Sequence, residues 1–148
     1  YKGKAVVLTF IYTRCPIPNF CPRMSNNFAE LQQRLRDEFG AKAQLLSITM
    51  DPEFDTPAVL KDYATRYDAD HATWTFATGT REQTDYAGSL FGLIQESVGG
   101  LINHDLRTVL ISPEGRMVHL WKSNVWTPYE VQRMVRETLT QSKTVATR

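Results

Sequence analysis

The chain has 148 residues, 42% of them hydrophobic and 22% charged, with 17 Lys and Arg against 16 Asp and Glu. That length fits one domain over residues 1–148, and that apolar fraction fills a core, which excludes bulk disorder. A formal charge of +1 excludes an electrostatic nucleic-acid binder, which needs a basic excess to neutralise phosphates. No apolar run reaches the roughly 18 residues that cross a bilayer. The longest, Ala5–Tyr12, is interrupted by Thr9. The chain opens on Tyr1-Lys2-Gly3-Lys4 without an initiating Met, so it reads as part of a longer protein and excludes no export signal or anchor.

Gly3-Lys4 leads into Ala5–Ile11, an apolar, β-branched run of the kind that forms a strand buried on both faces. A Pro-rich connection follows, Arg14-Cys15-Pro16-Ile17-Pro18-Asn19-Phe20-Cys21-Pro22-Arg23. Beyond it Met24, Phe28, Leu31, Leu35 and Phe39 recur at spacings of four, three, four and four. That is one face of an amphipathic helix, stopped by Gly40. Pro22 suits the first helical position, which makes Cys21 the N-cap. Ala43–Met50 reads as a second buried strand. Thr56-Pro57 reads as the cap and first turn of a helix with Leu60, Tyr63, Ala64 and Tyr67 on one face. Thr73–Ala77 is a short strand. Thr80-Arg81-Glu82-Gln83 is a capping box opening a third helix, with Tyr86, Leu90 and Phe91 turned inward. Residues 93–103, with Gly99-Gly100, are the least regular stretch. Leu106–Ser112 and Met117–Trp121 read as strands joined by the turn Pro113-Glu114-Gly115-Arg116. A second capping box, Thr127-Pro128-Tyr129-Glu130, opens a last helix on Val131, Met134, Val135 and Leu139. The polar tail, residues 141–148, is expected to fray.

No repeat, linker or second domain breaks this order. Strands alternating with helices require right-handed crossovers and parallel pairing, and the later hairpin adds an antiparallel pair. The order β-α-β-α-β-α-β-β-α predicts a thioredoxin-like α/β fold, a three-layer α/β/α sandwich around a central mixed sheet.

The chain's two cysteines, Cys15 and Cys21, both lie in the loop after the first strand. Two cysteines make no multi-disulfide scaffold, and the bland alternatives are a local structural disulfide or two buried thiols. A helix N-terminus stabilises a thiolate, so Cys21 as N-cap is expected to ionise below the ordinary thiol range, with Cys15 sharing the effect. Such thiolates serve either thiol–disulfide exchange or a soft metal. Thioredoxin-type oxidoreductases use C-x-x-C, whereas five residues intervene here, stiffened by Pro16 and Pro18. A metal calls for a third ligand, and there are three histidines. His119 sits in an alternating strand and reads as an edge or surface side chain, and His71 reads as exposed in a polar turn. His104 precedes a core strand whose start, in a thioredoxin-like topology, lies beside the cysteine loop.

Several stretches resemble the Sco/SenC copper chaperones. They are Gly3-Lys4, Phe10-Ile11-Tyr12-Thr13-Arg14-Cys15-Pro16, Cys21-Pro22-Arg23-Met24, Ser47-Ile48-Thr49-Met50-Asp51-Pro52-Glu53 and Asp55-Thr56-Pro57. Trp74-Thr75-Phe76-Ala77-Thr78-Gly79 and His104 before Leu106–Ser112 match in order and spacing, so the likeness runs from Gly3 to about Glu137. It implies a thioredoxin-like domain that helps mature the binuclear copper centre of cytochrome c oxidase, as copper carrier, thiol reductant or both. It places metal ligands at Cys15, Cys21 and His104, with the two cysteines also a redox-active pair. The implied cofactor is copper, as Cu(I) or Cu(II), since thiolate and imidazole are soft or borderline ligands; Zn(II) accepts the same three donors. The implied partners are a copper donor and a cytochrome c oxidase subunit or another thiol protein, and no nucleic acid. The implied location is periplasmic or otherwise extracytoplasmic. Membrane contact would come only through an N-terminal anchor that, like the family's first strands, lies outside this sequence.

The loop departs from the resemblance. The family's pattern is C-x-x-x-C with Pro after each cysteine; here both prolines are kept and two residues are inserted. The insertion bears on metal affinity, and it keeps two further readings open. One is an enzyme, a thiol–disulfide oxidoreductase, with a peroxidase as a variant suggested by Thr13-Arg14-Cys15. The other is a redox sensor without a stable metal site. Among the remaining residues, Met24 reads as core, and Asp51 and Asp55 as turn and capping residues, with partner docking implied by the resemblance alone. Trp121 reads as packing, and Trp126 as packing or partner surface.

Overall fold

Ala5–Ile11 forms β1, seven residues all buried, as a strand covered by helices on both faces must be. The computed structural model describes residues 1–146, with side chains described as far as Ser142. After β1 come α1 (Cys21–Phe39), a 3-10 turn (Gly40–Lys42), β2 (Ala43–Thr49), α2 (Pro57–Thr65), β3 (Trp74–Ala77) and α3 (Arg81–Ser89). Then follow β4 (Gln95–Val98), β5 (Leu101–His104), β6 (Thr108–Ile111), β7 (Met117–Trp121) and α4 (Pro128–Ala146). Five strands form one sheet in the order β3-β2-β1-β6-β7. β1 pairs parallel with β2 and β2 with β3, while β6 runs antiparallel to both β1 and β7. This is the expected mixed sheet of a thioredoxin-like fold.

The pleat of β1 divides the core. Ala5 and Val7 face Met24, Phe28, Leu31 and Leu35 of α1 and Val131 and Val135 of α4. Leu8 and Phe10 face the other way, toward Leu60 and Tyr63 of α2. α1 ends at Gly40, whose φ of 53° suits a residue without a Cβ, and whose N–H donates to the Arg36 carbonyl. α2 is capped by Thr56, whose Oγ1 accepts from Val59 N at 3.4 Å, and Thr80 forms the expected reciprocal box at α3.

Four expectations change. Tyr86 and Leu90 are 67% and 58% exposed, because α3 turns its small face inward; a Cβ on Gly88 would stand 3.0 Å from Leu93 Cδ2. Residues 93–103 are not irregular: β4 and β5 form a separate two-stranded hairpin, closed by Gly99 and Gly100 with φ of 58° and 83°. Two consecutive positive φ values are what a tight hairpin turn requires. Glu130 does not close a capping box; Thr127 Oγ1 accepts from its N–H at 3.2 Å, but its carboxylate accepts from Trp121 Nε1 at 3.1 Å. Trp121 and Trp126 both belong to the core, 8% and 3% exposed. The tail expected to fray from Gln141 continues α4 to Ala146, and residues 147 and 148 lie outside the described residues.

Phe28 holds the α1 layer together, its ring 5.8 Å from that of Trp74 and 6.1 Å from that of Trp126. Phe28→Ala is expected to destabilise the fold by about 3–5 kcal/mol, read by urea denaturation.

Candidate metal centre

The cysteine loop starts where β1 leaves the sheet and ends where α1 begins. It consists of two successive turns, Cys15 N to Tyr12 O at 3.3 Å and Phe20 N to Ile17 O at 3.0 Å, and Met24 N then donates to Phe20 O at 2.9 Å as the first bond of α1. Phe20, not Cys21, is therefore the N-cap, and Cys21 sits inside the first helical turn, 1% exposed. Cys15 is half-buried, and the two thiols are not bonded to each other.

A second loop holds the first in place. Asp55, with no exposed surface, accepts from Thr13 N at 3.1 Å, Thr13 Oγ1 at 2.5 Å and Thr49 Oγ1 at 2.5 Å. Arg14 Nε donates to Asp51 Oδ2 at 2.9 Å while the guanidinium lies 4.2 Å over the Phe54 ring. Asp51 and Asp55 were read from the sequence as capping and turn residues; their main partners are Thr13 and Arg14, next to Cys15. The signal available was the adjacency of Thr13-Arg14 to the cysteine. Arg14, the cation of the Thr–Arg–Cys peroxidase variant, is paired with Asp51.

His104 closes the site from the other side. It lies at the end of β5, where alternation turns Ile102 and His104 inward and leaves Leu101 and Asn103 exposed. One ligand atom from each of Cys15, Cys21 and His104 lies within 4.8 Å of the others, and His104 Nε2 is 3.7 Å from Cys21 Sγ. His104 Nδ1 lies 2.7 Å from the Asp105 carbonyl, which can only accept. Nδ1 therefore carries the hydrogen and Nε2 presents its lone pair to the sulfurs. The edges of Tyr12 and Phe20 flank the imidazole at 5.7 and 5.9 Å. His71 is exposed, and His119 lies on Trp121 at 4.3 Å on the edge strand, both as read from the sequence and both away from the cysteines. Met24 is fully buried in the core, its sulfur accepting from Thr108 Oγ1 at 3.4 Å.

The thiols divide their protons in the opposite sense from that expected. The Cys21 thiol donates toward Cys15, which lowers the Cys15 thiol well below its ordinary range against the effect of partial burial. The same hydrogen bond and deep burial push Cys21 up. The helix N-terminus does not decide the matter because Cys21 is out of water and beside a thiolate. Burial, reinforced by Cys15, raises Tyr12 to about 12. A cleft of about 390 Å³ opens over the site, lined by Cys15, Ile17, Phe20, Leu101, Ile102 and His104 among others.

The sequence profile of SCO1/SenC matches residues 1–140. The chain belongs to the SCO1/SenC family. It spans 67% of the SCO1 protein homolog of Bacillus subtilis and 40% of the mitochondrial SCO2 protein of Saccharomyces cerevisiae, at 29% identity to each. A SCO1/SenC family lipoprotein from Bacillus anthracis superposes with a TM-score of 0.82 at 28% identity, over 93% of this chain and 82% of that one. BsSco, described as a member of the Sco family of cytochrome c oxidase assembly proteins with a disulfide switch, gives 0.79 at 26%, over 94% and 82%. Yeast Sco1 with copper bound shares the fold, with 0.76 at 24% identity over 94% and 77%. Within this SCO1/SenC chain, the turn Ile17–Phe20 lies between the two cysteines, and one donor atom from each of Cys15, Cys21 and His104 converges within 4.8 Å.

Two outcomes check this geometry. Alkylation tracks the thiolate, so in the reduced, metal-free protein iodoacetamide should label Cys15 at pH values well below the ordinary thiol range while Cys21 stays unmodified. Mass spectrometry of labelled protein across pH reads this, and first labelling at Cys21 would reverse the assignment. Asp55→Ala strands three donors in a buried position and should cost roughly 3 kcal/mol in chemical denaturation.

Proposed function

We propose that this chain is a copper carrier for the assembly of cytochrome c oxidase, holding the ion on Cys15, Cys21 and His104. The observation that carries the reading is the convergence of two sulfurs and an imidazole Nε2 within 4.8 Å, with the far ring nitrogen already bonded to Asp105. Two thiolates and one imidazole suit Cu(I) with three ligands, and Cu(II) with an added oxygen donor. An ion about 2.3 Å from each sulfur spans sulfurs roughly 4 Å apart, whereas a disulfide needs about 2.05 Å. Three donor atoms within 4.8 Å of one another are within reach of a single ion. The half-exposed Cys15 is the side from which a partner's ligand can enter, so copper can pass by exchange of one donor at a time.

A second reading has its own support: Cys15 is the accessible, low-pKa thiol and Cys21 the buried neighbour that would resolve a mixed disulfide. On that reading the protein reduces a disulfide between the cysteines of the oxidase copper site to two thiols, its own Cys15 and Cys21 being oxidised to a disulfide. The partners proposed are a copper donor and an oxidase subunit. The location proposed is outside the cytoplasmic membrane, in keeping with the lipoprotein of Bacillus anthracis. Among the described residues no helix is long and apolar enough to cross a membrane.

Titration of the reduced protein with Cu(I) against a chromophoric chelator tests the copper reading. One-to-one binding is expected, lost in the Cys15→Ser, Cys21→Ser double variant and weakened by about 100-fold or more in His104→Ala. No binding by the reduced parent protein would give first place to thiol exchange. Affinity should fall with acid, because the bound thiols and His104 must be free of protons at the ligating atoms.

A further inference from the structure

Arg107 is a buried cation, 7% exposed, three residues past His104. Its Nε donates to Phe91 O at 3.0 Å, one terminal nitrogen to Leu106 O at 2.8 Å and the other to Gly92 O at 2.6 Å. That last nitrogen also lies 2.5 Å from Asp105 Oδ2. Asp105 is in turn bound on every side: its N–H donates to Ile94 O at 3.0 Å, its Oδ1 accepts from Ile94 N at 2.9 Å, and its carbonyl accepts from His104 Nδ1 at 2.7 Å. The Arg107 carbonyl accepts from Thr9 Oγ1 of β1 at 2.9 Å.

These bonds form one continuous path from the central strand to the imidazole. Thr9 fixes the Arg107 backbone on β1, the guanidinium joins the turn after α3 to Asp105, and the Asp105 peptide holds the His104 ring. β1 is also the strand from which the cysteine loop departs, so both halves of the site are referred to the same element. The β4–β5 hairpin forms no part of the main sheet. Its base therefore needs a clamp if His104 is to stay opposite Cys21, and a planar guanidinium with carbonyl and carboxylate partners is suited to that work.

We propose that Asp105 and Arg107 are positioning residues that hold the His104 Nε2 lone pair toward the cysteine sulfurs. The proposal rests on the copper-carrying reading for its consequence, but not for its structural half. The mere stabilisation of the hairpin would change melting temperature and nothing at the ring, so the ring is what must be measured.

In the reduced, metal-free protein, ¹⁵N NMR of the His104 ring should give the Nδ1–H tautomer. Arg107→Met should mix the tautomers and lower Cu(I) affinity by about 10- to 100-fold, the range typical of groups that orient a metal-ligating histidine. Arg107→Lys should recover part of both, because an ammonium can keep the Asp105 pair. Asp105→Asn should fall between the parent protein and Arg107→Met. The thiolate-to-copper absorption of the Cu(II) form should shift in the same order. Should Arg107→Met fail to fold, Asp105→Asn and Arg107→Lys make the same comparison. A parental tautomer and parental copper affinity in folded Arg107→Met and Asp105→Asn would overturn the proposal. Should the parent protein bind no copper, the carrier reading fails and the tautomer comparison decides the clamp by itself.

Discussion

A carboxylate with no contact with water, that of Asp55, fixes where the cysteine loop begins. It accepts from the backbone and hydroxyl of Thr13 and from the hydroxyl of Thr49, so the ends of β1 and β2 are tied to the first turn before α2. A buried carboxylate persists only when its acceptor capacity is filled, and here three donors fill it. Cys15 stands two residues beyond Thr13, close enough that the position of its sulfur follows from this knot. Were Thr13 to move, the turn from Tyr12 to Cys15 would move with it. The neighbouring Arg14–Asp51 pair adds less, since Arg14 is 43% exposed and its ion pair is screened by solvent. The buried hydrogen bonds hold the loop, and the salt bridge orients its outer face.

The site is assembled from parts with different amounts of restraint. Cys21 belongs to a 19-residue helix packed against the sheet and cannot move without it. Cys15 lies on a loop and His104 on a two-stranded hairpin, so the two remaining donors come from the more adaptable elements. The proton distribution follows the same division. The hydrogen bond from Cys21 lowers the half-exposed Cys15 thiol, and that same bond together with deep burial pushes the rigid Cys21 thiol up. The site thus presents its nucleophilic atom on the side that can be reached.

Much of this was legible in the sequence where hydrophobic period and turn chemistry agree. β1, α1 and β2 follow from unbroken apolar patterns, and Thr56 and Thr80 cap their helices as their neighbours suggest. The hairpin over residues 93–103 was not legible, because its strands are only four residues each and mostly exposed, leaving little alternation to detect. Tyr86 and Leu90 were read as inward because large apolar residues usually are; a close approach between Gly88 and Leu93 settles the helix face instead. His104 could be placed near the loop only through topology, and the bonds of Asp55 to Thr13 cross 42 positions that local patterns do not connect. The reversed order of the thiol protons depended on burial, which a cap preference cannot supply.

The five residues between Cys15 and Cys21 show how a long loop can bring both sulfurs to one place. Extra chain between two ligands adds loop entropy only slowly with length, provided that its ends stay fixed. Here the ends are fixed by different means: Thr13 by Asp55, and Cys21 by its place in α1. The intervening residues then need only satisfy their own backbone, which the turn Ile17–Phe20 and the bond from Arg23 N to Pro18 O at 3.1 Å accomplish. Asn124 adds a side-chain bond to the Asn19 carbonyl from the segment before α4. The loop also brings Phe20 against the His104 ring, so the chain between the cysteines contributes a wall to the candidate site. Donor convergence depends on the anchors at either end of the loop more than on the number of residues between the cysteines.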